Sequence, residues 1–336
     1  MVNIAINGFG RIGRLVFRAA WKEHHINIVA VNDITDTRTL AHLLKHDSLQ
    51  GQFKEEVGFT DRTLIIGRKK IAVLAERDPL KLPWKALKVD VVIESTGRFV
   101  TPQDAAQHIS AGAKKVILSA PFKDAETLPP SAITLVMNVN HDIYDRREHY
   151  VVSNASCTTN CVVPILKVIH DALGIRYCFF STIHAYTADQ NLVDGPHKDL
   201  RRARAAALNI IPTSSGADIA AEQALPMLKG KIKGAAYRVP VASGSVTDFT
   251  IETEKEVTVE QVNRLFKAAA QGKMNGIIEY SDGELVSSDI IGNSHSAIVD
   301  SKLTKVLGKN ALHLVAWYDN EWGYACRMVD MIKVIG

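Results

Sequence analysis

The chain has 336 residues, 46% apolar and 23% charged, with a net charge of +4; that length and apolar share suffice for two domains with full cores. The charge is nearly balanced, and no lysine or arginine block exceeds the short Arg201-Arg202-Ala203-Arg204 run, which argues against a dedicated nucleic-acid site while leaving small anionic substrates compatible. Four cysteines without zinc-type spacing give neither a disulfide scaffold nor a metal site, no apolar run reaches the roughly 20 residues of a membrane span, and the first residues enter a strand with no signal peptide, so a cytoplasmic protein with reduced thiols is expected.

Val2-Asn3-Ile4-Ala5-Ile6 reads as a short buried strand, followed by Gly8-Phe9-Gly10-Arg11-Ile12-Gly13 and a helical stretch to about Glu23. In that setting Gly8 permits a tight turn, Gly10 lets the backbone approach a pyrophosphate, Gly13 allows close packing of helix on strand, and the Arg11 and Ile12 amides face the phosphates. A second strand, Ile28 to Val31, ends at Asn32-Asp33. Asp33 stands about 20 residues beyond Gly13, where a carboxylate accepts from ribose hydroxyls and repels a 2′-phosphate, which favours NAD over NADP. The competing reading of Asp33 is an Asx turn or a cap for the helix from Thr35 to Leu44. Phe59 to Val73, broken at Gly67, reads as a hairpin. Val89 to Glu94 is a buried strand ending in the turn Ser95-Thr96-Gly97-Arg98, Pro102 opens a helix to about Ala111, and Lys115 to Ser119 is the next strand. Ligands of a parallel sheet sit at the carboxyl ends of its strands, so Asn7, Asp33, Ser95, Thr96 and Ser119 converge on one crevice, although Ser119 also suits a turn cap. Arg77 by itself reads as a solvated loop charge.

The chemistry centres on Ser153-Asn154-Ala155-Ser156-Cys157-Thr158-Thr159-Asn160-Cys161. An extended apolar run, Tyr150-Val151-Val152, precedes it, and apolar residues of helical period (Val162, Ile165, Leu166, Ile169, Leu173) follow until Gly174. Cys157 therefore lies at a strand-to-helix turn, where unpaired N–H groups and the helix dipole favour a thiolate and the same groups can hold an oxyanion or phosphate. Pro164 deletes one donor of that helix and predicts a bend. The bland alternative, a small residue near a cap, is outweighed by its company. His184, one of 12 histidines, sits in a strand-like run from Arg176 to Thr187 and is the partner that would activate the thiol; alone it would read as a structural histidine. The polar segment from Asp189 to Arg204 is too long for an ordinary connection, which marks it as functional or interfacial. Ile210 to Gly216, meeting a helix from about Ala217 to Leu228, forms a second anion nest, and Arg238 in an apolar strand needs an anionic partner, either an internal carboxylate or a substrate phosphate. The remaining strands, 245–254, 277–280, 296–299 and 312–318, with a helix at 259–270 and a final helix at 325–335, fit a mostly antiparallel sheet covered on one face by helices.

Taken together, Asn-Gly-Phe-Gly-Arg-Ile-Gly at 7–13, Val-Asn-Asp at 31–33, Ala-His-Leu-Leu-Lys at 41–45, the cysteine motif at 153–161, His-Ala-Tyr-Thr at 184–187 and Trp-Tyr-Asp-Asn-Glu at 317–321 closely resemble the phosphorylating glyceraldehyde-3-phosphate dehydrogenases from end to end. The resemblance implies an α/β Rossmann dinucleotide-binding domain over 1–155, completed by a C-terminal helix at about 320–336, and an α+β catalytic domain over 156–319. It implies NAD as cofactor, with Gly8, Gly10, Arg11, Ile12, Gly13, Asp33, Arg77, Ser119 and Asn320 at the cofactor, Asn320 on the nicotinamide amide. Cys157 would be the nucleophile and His184 its base. Thr187 and Arg238 would hold the substrate phosphate, Ser156, Thr158, Ser215 and Gly216 inorganic phosphate, and Arg202 would serve both anion sites. The long polar loop would lie at a homotetramer interface. Two departures stand out. Val241-Ala242-Ser243-Gly244-Ser245 replaces the usual Thr and Asn-Val-Ser, a matter of local packing, and Pro196 with Asp33 matches the NAD-selective version of the loop. The rival readings are erythrose-4-phosphate dehydrogenase and a non-catalytic nucleotide- or RNA-binding protein on the same fold; Ala185-Tyr186-Thr187 and Asn32-Asp33 oppose the first, and the intact Cys157, His184, Thr187 and Arg238 set opposes the second.

Overall fold

A computed structural model describes residues 1–123 and 128–336, arranged as two compact units. The first contains Met1–Leu135, Ile143–Ala155 and Ala325–Gly336; the second contains Val136–Asp142 and Ser156–Tyr324.

The first unit alternates strand and helix: β1 (Val2–Asn7), α1 (Arg11–Ala20), β2 (Ile26–Asn32), α2 (Thr37–Lys45), β3 (Val57–Thr60), β4 (Thr63–Ile66), β5 (Lys69–Leu74), β6 (Val91–Glu94), α3 (Pro102–Ser110), β7 (Lys115–Leu118), β8 (Ala132–Thr134) and β9 (Val151–Ser153). The strands form one sheet in the order β3-β4-β5-β2-β1-β6-β7-β9-β8, parallel except at β3/β4 and β4/β5. Every residue of β6 and β7 is buried, as a parallel strand covered on both faces requires. Ala5, Val92, Val116 and Trp84 sit at the middle of one core cluster. The expected single hairpin over 59–73 is instead a three-strand meander. A first turn falls at Asp61-Arg62, which carries no glycine to announce it, and the third strand, β5, joins the main sheet parallel to β2. α3 starts as its sequence dictates, with Thr101 accepting from the Asp104 N–H at 3.1 Å and Pro102 in the first turn.

The second unit holds α4 (Cys157–Leu173), β10 (Ile175–Ala185), β11 (Ile211–Thr213), α5 (Ala217–Ala224), β12 (Ile232–Val239), β13 (Ser245–Thr253), α6 (Val259–Gln271), β14 (Ile278–Ser281), β15 (Ala297–Asp300), β16 (Lys305–Leu307) and β17 (Ala311–Tyr318). Its sheet runs β11-β12-β10-β13-β17-β15-β14 with β16 on β17, antiparallel apart from β10/β12 and β14/β15. α4 packs against β10, β13, β15 and β17, with α5 and α6 beside it. It runs without interruption through Pro164 and ends at Gly174, whose φ of 71° is one a side chain would resist. The helix expected over 217–228 stops at Ala224 because Pro226 disfavours helical backbone at Leu225, and a single 3₁₀ turn, Pro226–Leu228, follows. The last helix, α7 (Trp322–Ile335), supplies Met328, Met331 and Ile332, all fully buried, to the first unit.

Candidate active site

In the first unit the glycine turn and the carboxyl ends of β1, β2 and β6 enclose a cavity of about 210 Å³, whose walls include Asn7, Gly8, Gly10, Asp33, Arg77 and Thr96. Gly8 has φ of 90°, and a Cβ there would lie 2.6 Å from the Thr96 nitrogen; one on Gly13 would lie 2.1 Å from the Gly8 carbonyl oxygen. A Cβ on Gly10 would meet nothing within 4 Å, so the backbone is bare where the cavity begins. α1 opens at Gly10, itself a wall of the cavity, with no side-chain cap; Arg11, Ile12 and Gly13 are not among the walls. The Asp33 carboxylate accepts from the Phe9 N–H at 2.8 Å and the Thr35 N–H at 3.0 Å, so it pins the glycine turn and forms an Asx turn at once. The cap of α2 is Asp36, which releases Asp33 from that duty. Arg11 turns its guanidinium to Asp47, so what it offers at the turn is backbone. Ser119 follows β7, donating its N–H to the Glu94 carbonyl at 2.9 Å, and is not among the cavity walls.

In the second unit Ser156 is the N-cap of α4, its Oγ accepting from the Thr159 N–H at 3.0 Å, and Cys157 is the first helical residue. The preceding Ala155 takes φ of 53°, an uncommon conformation for a residue with a Cβ, and this turn sets the direction of the helix start. His184 lies near the end of β10, where the parallel register pairs it with Arg238 of β12. Its Nε2 is 3.3 Å from the Cys157 Sγ and its Nδ1 is 2.6 Å from the Ala185 carbonyl oxygen. A carbonyl only accepts, so Nδ1 carries the proton and Nε2 presents a lone pair to the thiol. Arg238 donates through Nη1 to Thr187 Oγ1 at 2.6 Å and to the Ala185 carbonyl at 3.2 Å, while its buried Nε has no protein partner. The Asp189 carboxylate supplies an opposing charge from within the protein, so the internal partner weighed in the sequence is present, and Nε is left over.

Burial pushes the Cys157 thiol up, opposed by the Arg238 cation, and burial then Arg238 push the His184 imidazole down to about 3. Each charge alone is disfavoured. When the thiol proton moves to Nε2 the two charges appear together 3.3 Å apart, where each offsets the desolvation of the other. The resting pair is thus thiol and neutral imidazole, poised to become thiolate and imidazolium as sulfur attacks. The remaining buried thiols lack such a partner: burial pushes Cys161 far up and Cys178 up to about 12.

Other residues singled out in the sequence have their partners elsewhere in the second unit. Arg202 donates from Nε to Thr213 Oγ1 at 2.8 Å, pairs with Asp189 at 2.6 Å and reaches the Ser214 carbonyl at 3.3 Å, linking the Thr187 loop to the turn before α5. In that turn Ser215 Oγ accepts from the Ala217 N–H at 3.2 Å and Gly216 heads α5. Thr158 spends its hydroxyl on Tyr318, 3.0 Å away. The Asn320 carboxamide oxygen accepts from the Gly244 N–H at 3.2 Å and Ser245 Oγ at 2.9 Å, so its amino group is what it presents. Sequence reasoning missed Tyr318. Its buried hydroxyl also bonds Thr182 Oγ1 at 2.7 Å and its ring meets His184 edge-on at 6.0 Å, joining the start of α4 to β10. In the sequence it is only the last residue of a strand. Among the described residues no cluster of His, Cys, Asp or Glu could hold a metal ion, no helix is long and apolar enough to cross a membrane, and all four cysteines are free.

Comparison with known proteins adds a second line of evidence. Residues 2–102 match the family model described as glyceraldehyde 3-phosphate dehydrogenase, NAD binding domain, and residues 156–320 match the C-terminal domain model of the same family. The chain is 53% identical over 334 residues to the glyceraldehyde-3-phosphate dehydrogenase of Geobacillus stearothermophilus, covering 99% of this chain and 98% of that protein. It is 51% identical to glyceraldehyde-3-phosphate dehydrogenase 1 of Bacillus cereus, over 98% and 97% of the two chains, and 52% identical to the Mycobacterium tuberculosis H37Rv protein of that name, over 100% and 98%.

Proposed function

The chain belongs to the glyceraldehyde-3-phosphate dehydrogenase family, and we propose that it is the NAD-dependent phosphorylating enzyme, converting D-glyceraldehyde 3-phosphate and inorganic phosphate to 1,3-bisphosphoglycerate. The observation that carries this reading is the contact of 3.3 Å between the Cys157 thiol and a His184 whose tautomer leaves Nε2 unprotonated, beside a half-buried arginine with a buried nitrogen to spare.

The first unit fits NAD: bare backbone at Gly10, an uncapped α1 start for the pyrophosphate and the Asp33 carboxylate for the ribose, whose charge opposes a 2′-phosphate. Bound there, NAD supplies the acceptor for the aldehyde hydride. Arg238 and Thr187 hold the substrate phosphate. Cys157 Sγ then bonds the aldehyde carbon while its proton passes to His184 Nε2. The Cys157 backbone N–H and the protonated Nε2 stabilise the oxyanion, which takes that proton to become the hydroxyl of a thiohemiacetal. His184 Nε2 next withdraws the hydroxyl proton as the carbon is oxidised, and the acyl group remains on Sγ as a thioester. Inorganic phosphate, held by the backbone at Ser156, Thr158 and Gly216 with Ser215, attacks the carbonyl carbon, the C–S bond breaks and the thiolate is regenerated. Asn320 would offer its amino group, Arg77 its place in the cavity wall and Ser119, by the family's pattern, a further polar contact for the cofactor.

We place the enzyme in the cytoplasm as a homotetramer. Support for assembly comes from the polar loop, where Leu192, Val193 and Leu200 are 70–81% exposed. The test is NADH formation with glyceraldehyde 3-phosphate, with and without phosphate, beside erythrose 4-phosphate and NADP. Turnover that needs NAD and phosphate and prefers the three-carbon aldehyde supports the reading; preference for the four-carbon aldehyde, or indifference to phosphate, overturns it.

A further inference from the structure

Four buried residues of the first unit, Asn7, Glu94, His108 and Trp84, form a polar chain that none of the chemistry above uses. Glu94 ends β6 with no exposed surface and accepts four hydrogen bonds. Its Oε1 takes the Thr96 N–H at 2.8 Å and the Thr96 hydroxyl at 2.5 Å; its Oε2 takes Asn7 Nδ2 at 2.6 Å and His108 Nε2 at 3.0 Å. The Trp84 indole N–H donates to His108 Nδ1 at 3.0 Å. An indole nitrogen only donates, so the His108 proton must sit on Nε2, pointed at Glu94. Asn7 in turn accepts through Oδ1 from Asn32 Nδ2 at 2.6 Å, and Asn32 Oδ1 accepts from the Glu76 N–H at 2.9 Å. Each bond direction is therefore set by the carboxylate at one end and by donors that cannot reverse, the Trp84 indole and the backbone of Thr96 and Glu76, at the others.

Thr96, Asn7, Asn32 and Glu76 are all walls of the nucleotide cavity. We propose that Glu94 is a positioning residue for the dinucleotide: from outside the cavity it fixes, through a one-way hydrogen-bond relay, the orientation of the side chains and turns that receive the adenosine half. This rests on the assignment of that cavity to NAD. The relay makes an isosteric change costly. In Glu94→Gln an NH₂ facing Asn7 meets the His108 Nε2–H as donor against donor and also forces both asparagine amides to flip, which carries a second mismatch to the Glu76 N–H; an NH₂ facing Thr96 meets a backbone donor at once. Moving the carboxylate one step along the relay removes the conflict along the asparagine branch and gives His108 a second acceptor. With Asn7→Asp added, the introduced amide donates to the introduced carboxylate, which still accepts from Asn32, and His108 Nε2, 3.4 Å from the Asn7 nitrogen in the parent, has a carboxylate within reach.

The test measures ADP-ribose and NAD binding by calorimetry, together with the rate of iodoacetamide alkylation at Cys157. Expected are a loss of affinity of tenfold or more in Glu94→Gln, an unchanged alkylation rate, and recovery to within threefold of the parent in Asn7→Asp/Glu94→Gln. Affinity within twofold of the parent in Glu94→Gln, or no recovery in the double variant, overturns the proposal and leaves the relay a structural one. Should Glu94→Gln not fold, Thr96→Val deletes a single hydroxyl of the same relay, and an unchanged ADP-ribose affinity there is equally fatal. A parent protein that binds neither ligand refutes the NAD assignment instead.

Discussion

Replacing His184 by Asn separates the base from its scaffold. The Asn amide can still donate to the Ala185 carbonyl, as Nδ1 does at 2.6 Å, but it is too short to replace Nε2 at 3.3 Å from Sγ. The attacking sulfur then loses its proton acceptor and the charge-assisted hydrogen bond that forms as the proton moves, worth about 1.5–3 kcal/mol, so alkylation requires a free thiolate that burial disfavours and the profile moves to higher pH. Losing the base from the acylation and oxidation steps lowers kcat by about 10²–10⁴-fold. Arg238 and Thr187 are untouched, so KM for the phosphorylated aldehyde stays near the parent value. The assay is the pH dependence of iodoacetamide alkylation, read as the pH of half-maximal rate, with Cys157→Ser as the baseline for the partly exposed Cys326. The buried Cys161 and Cys178 are pushed too far up to compete. A profile that does not move when His184 is replaced refutes the shared proton, whatever happens to kcat.

The same histidine makes stability depend on pH. Its folded value, about 3, lies below the unfolded 6.5, so its contribution is complete above about pH 6.5 and declines as pH falls toward 3; at pH 5 the parent should have lost roughly 2 kcal/mol more than His184→Asn in urea unfolding, and equal losses contradict a neutral buried imidazole. Two glycines of one motif should behave oppositely. Gly13→Ala sets a Cβ against the Gly8 carbonyl and should cost more than about 2 kcal/mol in thermal unfolding, whereas Gly10→Ala should fold normally and lose NAD affinity; the reverse ranking contradicts the assignment of the open side. Tyr318→Phe takes a buried partner from the Thr158 hydroxyl and leaves the Thr182 hydroxyl only the Val246 carbonyl at 3.4 Å, and should destabilise the protein by about 1–3 kcal/mol, a loss that a denaturant midpoint within error of the parent denies.

What the sequence makes legible is local. Cys157 can be set at a helix start because small polar residues precede a run of period 3.6, and Asp33 can be singled out because a fixed spacing follows the glycine turn; Asp33 makes the Asx turn weighed for it and also ties down the Phe9 amide. What stays hidden depends on residues far apart in the chain. His184 meets Arg238 through strand register, and Glu94 meets Asn7 and His108 because three chain segments converge at one end of a sheet. Tyr318 looks like the last residue of an alternating strand, and only its hydroxyl partners show more. The three-strand meander reads as a hairpin in sequence because Asp61-Arg62 turns the chain without glycine or proline. Arg11 offers its backbone at the glycine turn, while its side chain belongs to Asp47, a partner that no local pattern announces.

The central claim is that a Cys157 thioester forms and waits for phosphate. It is tested most directly by mixing the protein with NAD and glyceraldehyde 3-phosphate in phosphate-free buffer, following NADH while peptide mass spectrometry locates the acyl group. The account predicts a burst of no more than one NADH per chain, a phosphoglyceroyl adduct on Cys157, and its discharge on adding inorganic phosphate. Sustained NADH formation without phosphate, or an adduct on any other residue, would contradict it.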